Sequence, residues 1–155
     1  TFKSVNYVLP FHENYPAKST LTLTDGQIGS DTKFRDGNWQ GFYGTDLEVI
    51  IDLQKTDSLN RISIGFFQYN LSWILLPKEV VLFISNDGTN FKEVHRLSHN
   101  VSDQKEGKFR HNMTSAFNYN ARYIKVKASN YGILPDWHPA AGATSWLFVD
   151  EIMIQ

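Results

Sequence analysis

Four tryptophans, Trp39, Trp73, Trp137 and Trp146, lie in or at the edge of polar, turn-rich segments rather than inside strand-like runs. The segments are residues 25–46, 68–77 and 130–146. An indole face offers a large apolar area at little entropic cost, so it stacks well on the C–H face of a pyranose. Planar polar groups beside it then take the sugar hydroxyls. Arg35, Asp36, Asn38 and Gln40 flank Trp39, Gln68 and Asn70 precede Trp73, and Asp136 and His138 bracket Trp137. Trp73 sits between Ser72 and Ile74 in a predicted exposed loop and reads as ligand-facing. Trp137 is held between Pro135 and Pro139, and a stiff turn presents a side chain without a large ordering cost. Trp39 and Trp146 border strands and fit a core plug as well as a platform. His138 is balanced in the same way, between a sugar hydroxyl and a loop carbonyl.

Other chemistries fit less well. A glycosidase needs two carboxylates across the scissile bond, and Asp36 and Asp136 could come together if their loops converge. Two acids on separate binding loops more often accept hydroxyls than run acid/base chemistry, so they read as hydroxyl acceptors. His95 and His99 are four apart in a strand and turn, where helical zinc spacing does not apply. The chain has no cysteine, which excludes thiolate metal sites and cysteine nucleophiles. Asn70, Asn100 and Asn112 each open an Asn-x-Ser/Thr string, and a glycan at Asn70 would obstruct the Trp73 loop.

These loops need a scaffold, and the scaffold reads as strands. Leu47, Val49, Ile51 and Leu53 alternate with less apolar residues, as do Ile62, Ile64 and Phe66. Val80, Leu82 and Ile84 form a third run ending at Asn86-Asp87-Gly88, a turn signal, with Phe91 to Leu97 as the return strand. Tyr123 to Ala128 and Trp146 to Ile154 complete the set. No stretch keeps a helical period for three turns. The pattern predicts one all-β domain over residues 1–155, a sandwich or barrel. Lys plus Arg total 15 against 16 for Asp plus Glu, so no basic excess points to nucleic acid. No apolar run approaches the roughly 20 residues of a membrane span. The start, Thr-Phe-Lys-Ser, is not a signal peptide, as expected of a domain excised from a longer exported protein and equally of a cytoplasmic chain.

Four strings then carry a resemblance: Asp25-Gly26 followed by Trp39 and Ile51-Asp52-Leu53; Ser85-Asn86-Asp87-Gly88 with Phe91; Ala121-Arg122-Tyr123-Ile124-Lys125-Val126; and Val149-Asp150-Glu151-Ile152. In this order they resemble the discoidin, or coagulation factor V/VIII C-type, superfamily, and within it carbohydrate-binding module family 32. Asp36-Gly37-Asn38-Trp39-Gln40-Gly41 and Trp137-His138-Pro139 look like the C-terminal domain of Bacteroides-type β-N-acetylhexosaminidases, which are chitobiase-like enzymes of glycoside hydrolase family 20. The resemblance implies an eight-stranded antiparallel jelly-roll sandwich with a shallow sugar site on loops at one end. It also implies a structural calcium held by the Asp25 side chain, the Gln27 carbonyl, Ser30 and the Glu151 carboxylate. Gly29-Ser30-Asp31 stands where the family often has Ser-Thr, a departure within that ligand set. Members that bind membranes or proteins usually carry a Cys pair, so its absence favours the bacterial sugar-binding branch. The expectation is a monomeric, non-catalytic module that targets a glycoside hydrolase in cis, outside the bacterial cytoplasm. Its ligand would end in a galactose- or N-acetylhexosamine-type sugar. Arg35, Asp36, Asn38, Trp39, Trp73, Asp136, Trp137 and His138 are the expected contacts. The alternatives are an adhesion module using Ile74-Leu75-Leu76 with Lys78, and a purely structural accessory domain.

Overall fold

A computed structural model describes residues 2–155. Seven strands carry the fold: β1 (Ser4–Tyr7), β2 (Gln40–Tyr43), β3 (Leu47–Gln68), β4 (Val80–Ser85), β5 (Lys92–Leu97), β6 (Phe109–Ala128) and β7 (Trp146–Ile154). All pairings are antiparallel, in the order β2-β7-β3-β6-β4-β5, with β1 also on β3. Among the described residues no helix is long and apolar enough to cross a membrane.

The two apolar runs read as separate strands, 47–53 and 62–66, are the two legs of β3. The register against β6 slips between Asp52 and Asp57 and again between Leu59 and Arg61. Gln54 turns the chain there at φ +71°, and its N–H is held by Asp52 Oδ1 at 2.7 Å. Residues 54–58 are exposed, so the strand arches over solvent and then re-enters the sheet. The first leg pairs with β1 and with the end of β6; the second pairs with β7 and with the start of β6. The sheet thereby folds over itself, and the long β3 and β6 each serve both halves where the resemblance implied eight separate strands.

Inward residues of both legs, Leu47, Val49, Ile51, Ile62, Ile64 and Phe66, join one buried cluster with Leu82, Ile124, Val126, Leu147 and Val149. The period of two along each strand explains why the next residues, Phe67 and Phe148, face the other way. They seed a second, aromatic cluster with Trp39 and Ile74, against which Tyr15, Phe34, Tyr69 and Trp146 pack. This second cluster is the floor on which the loops rest.

One buried ion pair ties the floor to the loops. Arg110 donates to Asp150 through Nε at 2.7 Å and through a terminal nitrogen at 3.2 Å, and the Asp150 side chain is fully buried. Asp150 Oδ2 also accepts the Gly29 N–H at 2.9 Å. Gly65 passes so close that a Cβ there would collide with both partners, which requires glycine at that position.

Candidate functional site

The three polar segments converge at one end, as the sequence predicts. Tyr69 and Ile74 bridge across the second segment, and Ile74 bridges on to Trp146. The Trp146 N–H donates to the Trp73 carbonyl at 2.7 Å, and the His138 ring donates from Nε2 to the Asn70 carbonyl at 2.6 Å. Phe34 brings in the first segment, its ring centroid 5.9 Å from that of Phe67 and 6.5 Å from that of Tyr69.

Two adjoining depressions, of about 440 and 200 Å³, share Tyr15, Phe34 and Arg35 as walls and together form one cleft. Asn14 and Gly37 close one end; Ser72, Trp73 and Trp146 close the other. The Arg35 guanidinium lies 5.5 Å from the Phe34 centroid and 6.0 Å from that of Tyr15. A planar cation held on aromatic rings keeps its fork of donors directed at solvent. Trp73 has φ +66° and ψ +19°, a left-handed conformation that costs a non-glycine residue energy. Its N–H on the Asn70 carbonyl at 3.0 Å and its carbonyl under the Trp146 N–H hold it there. The cleft therefore offers half-buried aromatic faces, one fixed guanidinium, a hydroxyl and an amide. Among the described residues no carboxylate lines it.

Several expected contacts belong elsewhere. Trp39 is only 1% exposed, packs edge-on against Phe67 at 5.2 Å and donates from Nε1 to the Ser30 carbonyl at 3.1 Å. It plugs the core and borders the larger depression of the cleft only from beneath, with almost no surface open to a sugar. His138 is 4% exposed; while Nε2 donates to Asn70, Nδ1 accepts the Ala140 N–H at 2.9 Å. Both ring nitrogens are thus satisfied, and His138 is a loop brace, not a hydroxyl partner. Asp36 accepts the N–H groups of Ser30 at 2.6 Å and Asn38 at 2.9 Å, so it staples its own loop and lines no part of the cleft. Asn38 contributes backbone to that staple, and its Oδ1 is buried without a partner. Gln40, Gln68 and Asn70 are buried, each donating to backbone carbonyls of neighbouring loops. Burial of Asn70 also removes it as a glycan acceptor. Asp136 is exposed beside Trp137 and lines no part of the cleft. Ile74, Leu75 and Leu76 are 1%, 0% and 2% exposed, so the string proposed for membrane adhesion faces inward.

Trp73 and Trp137 do not share a site. Trp73 lines the cleft, whereas Trp137, 38% exposed, lines a separate depression beyond the 70–73 turn. Sequence reasoning missed Tyr15 and Phe34. Tyr15 lies outside the three polar segments, and Phe34 stands five residues before Trp39, the indole that reads as the platform of that segment.

Of the implied calcium ligands, Asp25 and Glu151 come together. Glu151 is 4% exposed, and Oε2 accepts the Gly26 N–H at 3.1 Å. Burial pushes its carboxyl up to about 8; the Gly26 N–H opposes this, and the charges of Asp25 and Asp150 add to it. A buried carboxyl beside a second acid is a site that a hard cation would relieve. Asp25 Oδ1 accepts the Gln27 N–H at 2.7 Å. Ser30 does not fit, because its hydroxyl accepts from Thr32 and Lys33 and its carbonyl from Trp39. No group of three or more acidic or histidine side chains suited to a metal occurs among the described residues.

A family model described as the F5/8 type C domain matches residues 6–150. No curated protein shows a significant match. Among solved structures, the family 32 carbohydrate-binding module of C. perfringens NanJ, in complex with galactose, superposes with a TM-score of 0.61 at 12% identity, covering 98% of this chain and 92% of that one. A second Clostridium perfringens module, in complex with GalNAc-β-1,3-galactose, gives 0.58 at 12% identity over 98% and 94%. A chitosan-binding module from a Paenibacillus chitosanase/glucanase gives 0.57 at 14% identity over 99% and 95%. At such identities the likeness is one of fold.

Proposed function

The chain belongs to the F5/8 type C domain family, and from that premise we propose that it is a non-catalytic carbohydrate-binding domain whose sugar site is the Tyr15–Phe34–Arg35–Trp73 cleft. One observation carries the reading: aromatic faces and a ring-supported guanidinium meet in a cleft without a carboxylate. Stacking supplies the apolar contact, Arg35 donates to vicinal hydroxyls, and Ser72 and Asn14 complete the polar set. A shallow site of this kind binds with Kd on the order of 0.1–1 mM, or about 4–5.5 kcal/mol.

The finer reading is a terminal galactose- or N-acetylhexosamine-type sugar, bound on behalf of a glycoside hydrolase in cis outside the bacterial cytoplasm. Its support is the sugars bound by two similar modules and the likeness of the Asp36–Gly41 string to hexosaminidase C-terminal domains. Tethering would raise the effective concentration of substrate at the enzyme. We further propose that Asp25 and Glu151, with loop carbonyls in place of Ser30, hold a calcium ion that ties the first loop to β7. A glycan array, probed with the domain and with its Arg35→Ala variant, tests the sugar reading. Binding of such terminal glycans by the parent and loss in the variant is the expected result.

A further inference from the structure

On the far side of the 70–73 turn lies the largest depression of this end, about 760 Å³, with Trp137, Leu71, Tyr69 and Lys108 among its walls. The established family membership and the proposed cleft leave it without a role. Its apolar surfaces are unusually available: Leu71 is 67% exposed and Trp137 38%. They are also firmly placed. His138, next to Trp137, is braced on the Asn70 carbonyl at 2.6 Å, and the Asn70 amide donates to the carbonyls of Asp103 and Lys105 at 3.4 Å each. Prolines at 135 and 139 limit the turn further. The Lys108 ammonium lies 5.0 Å from the Tyr69 centroid, which leaves the Trp137 indole as the open platform. Gln104 and Glu106 line the rim with side chains that make no hydrogen bond within the protein among those described.

We propose that this depression is a second carbohydrate subsite, with Trp137 as its stacking platform, that takes neutral sugars of a glycan longer than the cleft alone can hold. The inference rests on the glycan-binding reading for its ligand class. The rim carries one cation, Lys108, and one anion, Glu106, so it has no net charge to select an acidic sugar. Trp137 lines a concave hollow together with polar residues, whereas a membrane-inserting tip projects. Ser72 and Trp73 line the cleft; Asn70 and Leu71 line the second depression. Asn70 and Trp73 are three residues apart, so their backbones are separated by at most ~11 Å. One oligosaccharide can therefore reach both, and the second contact becomes intramolecular.

The test uses the domain, a Trp137→Ala/Leu71→Ala variant and an Arg35→Ala/Trp73→Ala variant. Each is applied to an array of mono- to hexasaccharides and to phosphatidylcholine/phosphatidylserine vesicles. Circular-dichroism melting confirms that each variant is folded. The parent should bind longer oligosaccharides at least tenfold more tightly than the matching terminal monosaccharide. The Trp137/Leu71 variant should lose that advantage and keep monosaccharide binding. A Trp137/Leu71 variant equal to the parent on every bound glycan would overturn the second subsite and leave the cleft intact. Loss of vesicle binding without loss of oligosaccharide binding would overturn it in favour of a lipid surface. No glycan bound by the parent would overturn the glycan reading itself, and this proposal with it.

Discussion

His138 and Asn70 are joined ring to backbone, Nε2 to carbonyl oxygen at 2.6 Å, across 68 residues of sequence. The bond pins the Pro135–Pro139 turn to the segment that separates the two depressions. It helps fix the positions of Trp73 and Trp137 while the ring itself stays buried.

Replacing His138 by Ala should therefore act on stability first. It strands the Ala140 N–H and removes one of the two donors on the Asn70 carbonyl, which keeps the Trp73 N–H, at about 1–3 kcal/mol for a buried group left unpaired. Thermal unfolding should show a drop of several degrees, while monosaccharide affinity at the cleft changes less than threefold. A tenfold affinity loss with an unchanged melting temperature would make His138 a sugar contact after all.

Trp39→Ala should be a core deletion, costing about 3–5 kcal/mol in denaturant unfolding, as aromatic truncations in packed interiors do. Its indole also fills the space beside Gly29, so loop 25–39 would loosen with it. A loss below about 1 kcal/mol would place Trp39 outside the core.

Arg110→Met should be equally severe. It leaves the Asp150 carboxylate buried and unpaired, at about 3–5 kcal/mol. The double variant Arg110→Met/Asp150→Leu should recover part of the loss in the same unfolding assay. Independent, additive losses would show that the two residues do not act as a pair.

Glu151 gives a pH signature. Its carboxyl is raised from 4.5 to about 8 in the fold, so between those values the folded state keeps a proton that the unfolded state has released. Stability therefore falls as pH rises through that window. In excess chelator, melting temperature should fall from pH 5 to pH 8, and Glu151→Gln should flatten the slope. Calcium should raise the melting temperature most at pH 8, because it binds the ionised form. No calcium response at pH 8 in the parent would remove the ion from the account.

Much of this architecture is legible in the chain. The alternation at Leu47–Leu53 and Ile62–Phe66 locates both legs of β3, and the Asp87-Gly88 turn locates the β4–β5 hairpin. The continuity of β3 is not legible, because residues 54–58 are polar and look like a turn although the strand passes through them. The first half of β6 is hidden for a related reason: Asn112, Thr114, Ser115, Asn118 and Asn120 dilute its alternation. In the site, Arg35 and Trp73 are identifiable by type and neighbourhood. Tyr15 and Phe34 become wall residues only through contacts with β3 and β7, namely with Phe67 and Phe148. His138 shows why residue type alone misleads, since a histidine between Trp and Pro in a loop has the same sequence appearance whether it meets a sugar or a carbonyl.

The most direct measurement is calorimetric titration of a terminal galactose- or N-acetylhexosamine glycan, chosen from the array, into the parent domain and into Arg35→Ala and Trp73→Ala. The account predicts binding by the parent and a loss of at least tenfold, about 1.4 kcal/mol, in each variant. Melting temperatures should stay within a few degrees of the parent, because both side chains lie at the solvent edge of the aromatic cluster. Equal binding by parent and variants, or no glycan bound by the folded parent, would contradict it.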